Sequence, residues 1–463
     1  MAKTLEMDMT KGPILKQIIK VAVPLILMNL LQVLFNTADV TILGIFTNDN
    51  AVAGVGSSSS LVNLIVSLFT GLAVGVNIVV ARALGSKNPE KVKKLIGVSI
   101  FTALVGGVIL LIVGVSLSKT FLVLMNCDEQ VLSYATNYLI IYFIGAPALL
   151  LYNFSAAILR ASGETLRPFI YLSIGGAMNV VLNIFFIVAF GLDVEGVAIA
   201  TVISTVFSAV MCLRLLIKNK DGVVKLEKKY IRFYKEEFKE IALVGIPSGV
   251  QSALFGISNV LIQSTVNSFG NAVMAGDTCA KQLEHFIGQV LPGISQAGVA
   301  FVSQNYGAKN FKRIKTSIFS GLLLILITGA LVSTALILIT APFSRLMLTE
   351  KEAMEYTILR SKIMLTTFTV GSTMDYFAYV LRGLNKSITA MIITLVGVCL
   401  VRVLWIKLIF PLSPTLSMLY FCYPITWALT LIILLVCVTV RYINEKKKCE
   451  IEQTKNAYNA EIE

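Results

Sequence analysis

The sequence predicts an all-α polytopic membrane protein of twelve transmembrane helices, arranged as two homologous six-helix bundles. Three observations carry this. The 463-residue chain is 56% hydrophobic and only 14% charged, with a mean hydropathy of +0.82. A soluble domain carries about 25% charged residues. Its apolar residues gather into twelve runs long enough to span a bilayer, which takes about 20 residues each. Finally, the chain repeats itself at one spacing. Leu84-Gly85-Ser86-Lys87-Asn88 returns as Tyr306-Gly307-Ala308-Lys309-Asn310, 222 positions on (85 to 307). Ile158-Leu159-Arg160-Ala161-Ser162-Gly163 returns as Val380-Leu381-Arg382-Gly383-Leu384-Asn385 at the same offset, and Pro24 finds Pro247. Anchors this far apart at one offset mark a duplication, with function expected between the halves.

The expected spans of the first half are 14–46, 51–82, 91–117, 129–159, 165–190 and 194–217. Those of the second are 237–268, 272–304, 312–341, 352–382, 387–411 and 414–442. The halves are then 14–217 and 237–443, joined by a linker at 218–236 and followed by a polar tail at 444–463. The polar stretch around the linker suggests an amphipathic surface helix from Lys228 to Lys239. Six is an even number, so each half starts on the same side. The repeats are therefore parallel, related by a pseudo-two-fold axis along the membrane normal.

Charge sets the orientation. Lys87, Lys91, Lys93, Lys94, Arg160, Arg167, Lys309, Lys312, Arg313, Lys315, Arg382, Lys386, Arg441 and the linker lysines fall on one side. The opposite loops offer little beyond Lys119, Arg345 and Lys351. By the positive-inside rule both termini are cytoplasmic, in a multi-pass protein of the cytoplasmic (inner or plasma) membrane. Residues 1–19 read as a cytoplasmic lead-in, without a secretory h-region and cleavage site. The net charge of +13 is accounted for by these loops, so no nucleic-acid partner is expected.

Several classes are excluded. Most of the seven cysteines lie inside apolar segments without CxxC spacing, which argues against disulfides and metal. His285 is the sole histidine, which leaves no His-based zinc site. No phosphate-binding P-loop, HExxH or GxSxG occurs, so neither ATP hydrolysis of that kind nor an intramembrane enzyme is expected.

Polar residues within spans are costly and face protein or water. In the first span Asn29, Gln32, Asn36 and Asp39 recur at steps of three and four, which is one helix face. Pro24 lies below them and is expected to bend the helix as a hinge. Asp39 is the span's only acid and is the candidate proton or cation carrier; the bland alternative places it solvated at the outer mouth. Asn153 in the fourth span, Asn179 and Asn183 in the fifth, and Asn63 and Asn77 in the second complete a candidate pocket, with interhelical glue as the alternative. In the second half, Asp277, Lys281 and Glu284 share one face, Asp375 lies in the tenth span and Arg402 in the eleventh. The expectation is one buried network of Lys281, Glu284, Asp375 and Arg402; alternatively Asp277 and Lys281 stand outside the hydrocarbon. His285 reads as a packing residue. The repeated basic turns are assigned to helix capping and anchoring.

Taken together, these residues resemble the MATE (multidrug and toxic compound extrusion) family. The resemblance rests on "PLILMNLLQVLFNTADVTILG", the "VARALGSKN" and "VSQNYGAKN" turns, "LRASGETLRP", "LRGLNKS" and the Asn179/Asn183 pair, and covers about residues 14–443. It implies two six-helix bundles opening as a V. It also implies export of organic cations or amphipathic compounds driven by inward proton or sodium flow. Asp39 matches the family's cation-coupling acid and Asn179 its fifth-span asparagine. The chain departs from the pattern at Asn183, where proton-coupled bacterial relatives often carry an acid. It departs again in the seventh span, where Gln251 and Ser252 replace the acid of some sodium-coupled relatives.

The expected function is a cation-coupled antiporter with a small-molecule cationic or amphipathic substrate. No cofactor is expected besides the coupling ion, H+ or Na+. Membrane lipids surround it and it acts as a monomer. The alternative is a flippase for lipids or lipid-linked precursors, kept open by Lys281 and Arg402.

Overall fold

The computed structural model of the chain describes residues 6–219 and 222–462, with Ser60, Asn63, Leu64 and residues 456–462 described by their backbone alone. The Asn63 side chain therefore lies outside the described residues. Among those residues every regular element is helical. The first half comprises α1 (Ile14–Phe46), α2 (Asp49–Gly85), α3 (Pro89–Leu124), α4 (Glu129–Ile144), α5 (Ala146–Ala161), α6 (Leu166–Phe190) and α7 (Val194–Lys218). The second comprises α8 (Lys235–Asn267), α9 (Asn271–Gly307), α10 (Phe311–Met347), α11 (Lys351–Gly383), α12 (Ser387–Thr394), α13 (Val401–Leu404) and α14 (Leu416–Ile462).

The repeated turns cap helices in both halves. Asn88 and Asn310 are N-caps whose side chains accept from the backbone N–H of Lys91 and Arg313. This satisfies one of the orphan donors at each helix start. The preceding Lys87 and Lys309 both take left-handed backbone, φ 53° and 52°. In the second repeated turn the left-handed position is Gly163 in one half and Asn385 in the other. These two residue types bear that conformation at least cost.

Among the described residues ten helices are long and apolar enough to cross a membrane, and the bent pair α4–α5 makes an eleventh. The chain is a multi-pass membrane protein. The fourth span, expected as one helix, is broken by 51°. Gly145 ends α4 and Pro147 occupies the first turn of α5, where its missing N–H costs nothing. Helix α11 is as long but more polar, with Lys351, Glu352, Glu355, Arg360, Lys362, Asp375 and Arg382 alongside many threonines, serines and tyrosines.

Three further features refine the expected elements. The eleventh span, Ser387–Leu412, is one helix with irregular turns. It passes from α12 through a π-turn (Leu395–Leu400), α13, a second π-turn (Trp405–Ile409) and a 3₁₀ turn (Phe410–Leu412). The expected amphipathic surface helix from Lys228 to Lys239 is not formed: among the described linker residues only Lys228–Tyr230 is helical before α8 begins at Lys235. Tyr230 instead packs on α3, where its carbonyl leaves no room for a side chain at Gly97 and its hydroxyl donates to Glu90 Oε2 at 2.7 Å. Lys93 pairs with Glu227 at 2.7 Å. That hydrogen bond, aided by Lys229, holds the Glu227 carboxyl below the usual carboxylate range. The polar tail, finally, continues α14 as helix to Ile462.

The chain folds as two compact units. The first contains Met1–Asp8 and Val23–Val250; the second contains Met9–Ala22 and Gln251–Glu463. The divisions fall inside α1, just before Pro24, and inside α8, just after Pro247. Both helices run on through their prolines. Each proline lacks the N–H that the carbonyl four residues earlier would have accepted.

In the first unit Gly71 and Gly75 of α2 face Gly245 and Gly249 of α8, backbone against backbone. Two Gly-xxx-Gly steps let helices approach this closely in a membrane, where packing replaces the hydrophobic drive. In the second unit residues 9–12 form a strap. The Met9 side chain is fully buried. Its N–H donates to Gln304 Oε1 at 2.6 Å and its carbonyl accepts from Asn305 Nδ2 at 3.1 Å. Arg313 donates to the carbonyls of Met9, Lys11 and Gly12, each at 3.0 Å.

Candidate functional site

In the first unit α1 and α6 bring together Asp39, Asn179 and Asn183. Asp39 is 9% exposed, and its Oδ1 accepts from Asn183 Nδ2 at 2.5 Å. The Asn179 amide satisfies both of its ends when Nδ2 donates to the same Asp39 Oδ1 at 2.8 Å. Its Oδ1 then accepts from the Thr201 hydroxyl of α7 at 3.1 Å. Two amide donors thus converge on one carboxylate oxygen. The Oδ1 of Asn183 is buried with no donor.

Packing explains the position. On α1, Ile42 and Leu43 lie one turn beyond Asp39; on α6, Ile187 lies one turn beyond Asn183. These three join Ala51, Val55, Val194 and Val197 in one buried apolar cluster, which shields that side of the carboxylate. One turn the other way, the Phe35 ring fills the space that a side chain at Gly176 would need. Asp39 is buried, so the solvated-mouth alternative does not hold in this structure.

The other first-half candidates stand apart. Gln32 and Asn36 are exposed on α1. Asn153 turns back on its own helix, donating to the Leu149 carbonyl at 3.0 Å. Asn77 is buried on α2. Thr201 was not anticipated, since a threonine in an apolar span carries no sequence signal by itself. Tyr138 lies near enough for the charge of Asp39 to act on it.

The second unit corrects the expected single network, because the structure divides it in two. Lys281 and Glu284 belong with Asp277 and with Arg360 of α11, a residue that nothing in the sequence singled out. Arg360 Nη1 meets Asp277 Oδ1 at 2.7 Å, and its Nε and Nη2 meet the two Glu284 oxygens at 2.7 and 2.9 Å. Lys281 Nζ pairs with Asp277 Oδ2 at 2.8 Å and donates to Gln263 Oε1. The Tyr420 hydroxyl completes the Asp277 shell at 3.0 Å. Asp277 is fully buried. Two acids against two bases make this cluster neutral.

Asp375 and Arg402 lie in a second cluster with Arg382 and Gln251. Arg382 Nη2 donates to Gln251 Oε1 at 2.6 Å, and Arg402 Nη1 to Asn259 Oδ1 at 3.2 Å. Both guanidiniums act electrostatically on Asp375. Arg382, expected at the cytoplasmic surface, is buried. The Tyr423 ring adjoins both clusters, 5.7 Å from the Arg360 guanidinium and 4.3 Å from that of Arg402. His285 is exposed, with its ring nitrogen 3.5 Å from Gln289.

The MatE family model matches the chain twice, over residues 24–185 and 247–406. The chain belongs to the MatE family. Both matches begin at a proline, Pro24 or Pro247, as the repeat requires. Among MatE relatives, a probable multidrug resistance protein of Bacillus subtilis, YoeA, is 28% identical over 338 residues, covering 72% of this chain and 73% of that one. The multidrug export protein MepA of Staphylococcus aureus is 23% identical over 397 residues, covering 86% and 88%. Among solved structures, a multidrug resistance MATE family transporter in its outward-facing conformation superposes with a TM-score of 0.89 at 20% identity, covering 96% of this chain and all of that one. A transporter from Pyrococcus furiosus gives the same score and identity, covering 96% and 99%. The fold of this MatE chain is the one those transporters share.

Proposed function

We propose that this protein is a cation-coupled antiporter. It exports organic cations or amphipathic drugs across the cytoplasmic membrane by alternating access, in exchange for protons or sodium. In this reading it acts as a monomer with both termini cytoplasmic, its repeat halves spanning 14–217 and 237–443. The multidrug proteins it resembles support the substrate class. The buried Asp39 carboxylate, with its two amide donors and the spare Asn183 oxygen, is the observation that carries the coupling role.

The chemistry follows from the hydrogen bonds. As a carboxylate, Asp39 only accepts, and two amides donate to it. A proton arriving on the carboxyl adds an O–H donor among amide donors, and one amide must turn. The free Asn183 Oδ1 is the acceptor left for that O–H. A sodium ion would draw on the same oxygens. Either ion loosens the amide contacts tying α1 to α6, and Pro24 on the same helix supplies the hinge. Ion and substrate are coupled to the extent that each prefers a different state.

The test is dye efflux in everted vesicles, with the proton gradient and sodium varied separately. Asp39→Asn keeps the shape and removes the charge. It is expected to abolish gradient-driven efflux at unchanged expression. Gradient-driven transport retained in that variant would remove Asp39 from the mechanism.

A further inference from the structure

Three arginines are buried in the second unit, and they are not equivalent. Arg360 is 2% exposed and meets two carboxylates directly. Arg382 and Arg402 are each 4% exposed, and among the described residues neither has a carboxylate within ion-pair distance. Their bonded partners are uncharged: the amide oxygens of Gln251 and Asn259, with Tyr379 also bonded to Arg382. Each keeps a buried Nε–H without an acceptor. The two guanidiniums share the influence of a single carboxylate, Asp375. Two positive charges against one negative leave an excess of one. A buried charge without a partner is strongly unfavourable, and an orphaned buried donor calls for an acceptor from outside the fold.

We propose that this cluster is a binding site for one monoanionic oxyanion, a carboxylate or phosphate ester, held by the Arg382 and Arg402 guanidiniums. The planar fork of N–H donors matches such a group. The faces of Tyr379 and Tyr423, at 4.7 and 4.3 Å from the two guanidiniums, orient the forks without neutralising them. Asp375 then has a definite role: it leaves room for one anionic charge rather than two. Helix α8, which carries Asn259, and the eleventh span, which carries Arg402, also line an open apolar groove of 340 Å³, formed by Leu254, Ile257, Leu261, Val396, Cys399 and Val403. Cys399 feels the Arg402 charge, so the groove gives an amphipathic anion a place for its tail.

The chain carries its own reporters. Its only tryptophans are Trp405, three residues after Arg402, and Trp427, whose ring lies 5.8 Å from that of Tyr423. Full-length protein in dodecyl maltoside is titrated with octanoate while tryptophan fluorescence is followed. Octylammonium serves as the opposite-charge control and acetate as the tailless anion. Octanoate is expected to give a saturable change that octylammonium does not. Arg402→Gln and Arg382→Gln should each weaken it at least ten-fold, and the lysine variants should restore part of the loss. Asp375→Asn raises the excess charge and should tighten binding several-fold, whereas an acid that served as a cation site would show no such gain. Octanoate binding tighter than acetate binding assigns the groove to the tail. Equal affinities keep the oxyanion site and remove the groove from it. Three results would overturn the site: no saturable response to either anion, an octylammonium response like that of octanoate, or weaker octanoate binding in Asp375→Asn. No gradient is involved, so the outcome is independent of the role given to Asp39.

Discussion

Arg360 ties α9 to α11 through both Asp277 and Glu284. Removing it leaves two carboxylates in a setting where neither can be hydrated. Breaking a buried pair from one side costs about 3–5 kcal/mol. Arg360→Gln is therefore expected to lower the thermal unfolding midpoint in detergent markedly. Lys281→Gln should lower it little, because Lys281 is 40% exposed and exposed pairs contribute about 0–1 kcal/mol. Equal losses in the two variants would contradict this division. At this scale the sequence was legible where spacing alone decides the outcome. Asp39 sits on the polar face of α1, and Asn179 and Asn183 recur one turn apart on α6. It was not legible where a partner comes from a distant helix. Arg360, which bonds both acids of the Asp277–Glu284 face, lies on α11, and no spacing within α9 points to it. Gln32 and Asn36 share the Asp39 face by spacing and still end exposed, because the partners of Asp39 come from α6 rather than from α1.

The crossing of α2 and α8 rests on four glycines. Their neighbours are backbone atoms, which cannot swing aside as a side chain can. Gly71→Leu or Gly245→Leu is expected to abolish the monodisperse peak on size-exclusion chromatography. Gly256→Leu on the same α8 should leave it intact, since nothing lies within 4 Å of that position. Overpacking of a well-filled contact typically costs about 1–3 kcal/mol, and a backbone contact offers less relief than that. The elements themselves were readable from apolar runs and capping residues. The break of the fourth span was not anticipated, although Gly145 and Pro147 stand at it. Nor were the π-turns of the eleventh, because they arise where Arg402 and Trp405 must reach partners on α8 and α14 and no residue type marks that need in advance.

The duplication was the most readable property of the whole molecule, since one offset repeats turns, caps and prolines. Membership of the two units was not readable, because residues 9–22 join the second unit through a strap bonded to residues about 295 positions away. Arg313→Ala removes three hydrogen bonds to the strap. Limited trypsin digestion should then cut after Lys11 several-fold faster than in the parent, with fragment mass identifying the site. Unchanged cleavage would mean that Gln304 and Asn305 hold the strap alone.

The burial of Met9 also sets an order of events during synthesis. The groups that receive residues 9–12, namely Gln304, Asn305 and Arg313, are made some 300 residues after them. At about 5–20 residues per second that interval is at least roughly 15 seconds. For that time the Met9 side chain and the strap backbone have no docking site. The first unit waits in the same way for residues 235–250 of α8. Neither half can be completed before the other has begun, so a chain released early has no finished half to preserve. A premature stop before residue 235 should accordingly yield a quality-control substrate rather than a stable half-transporter.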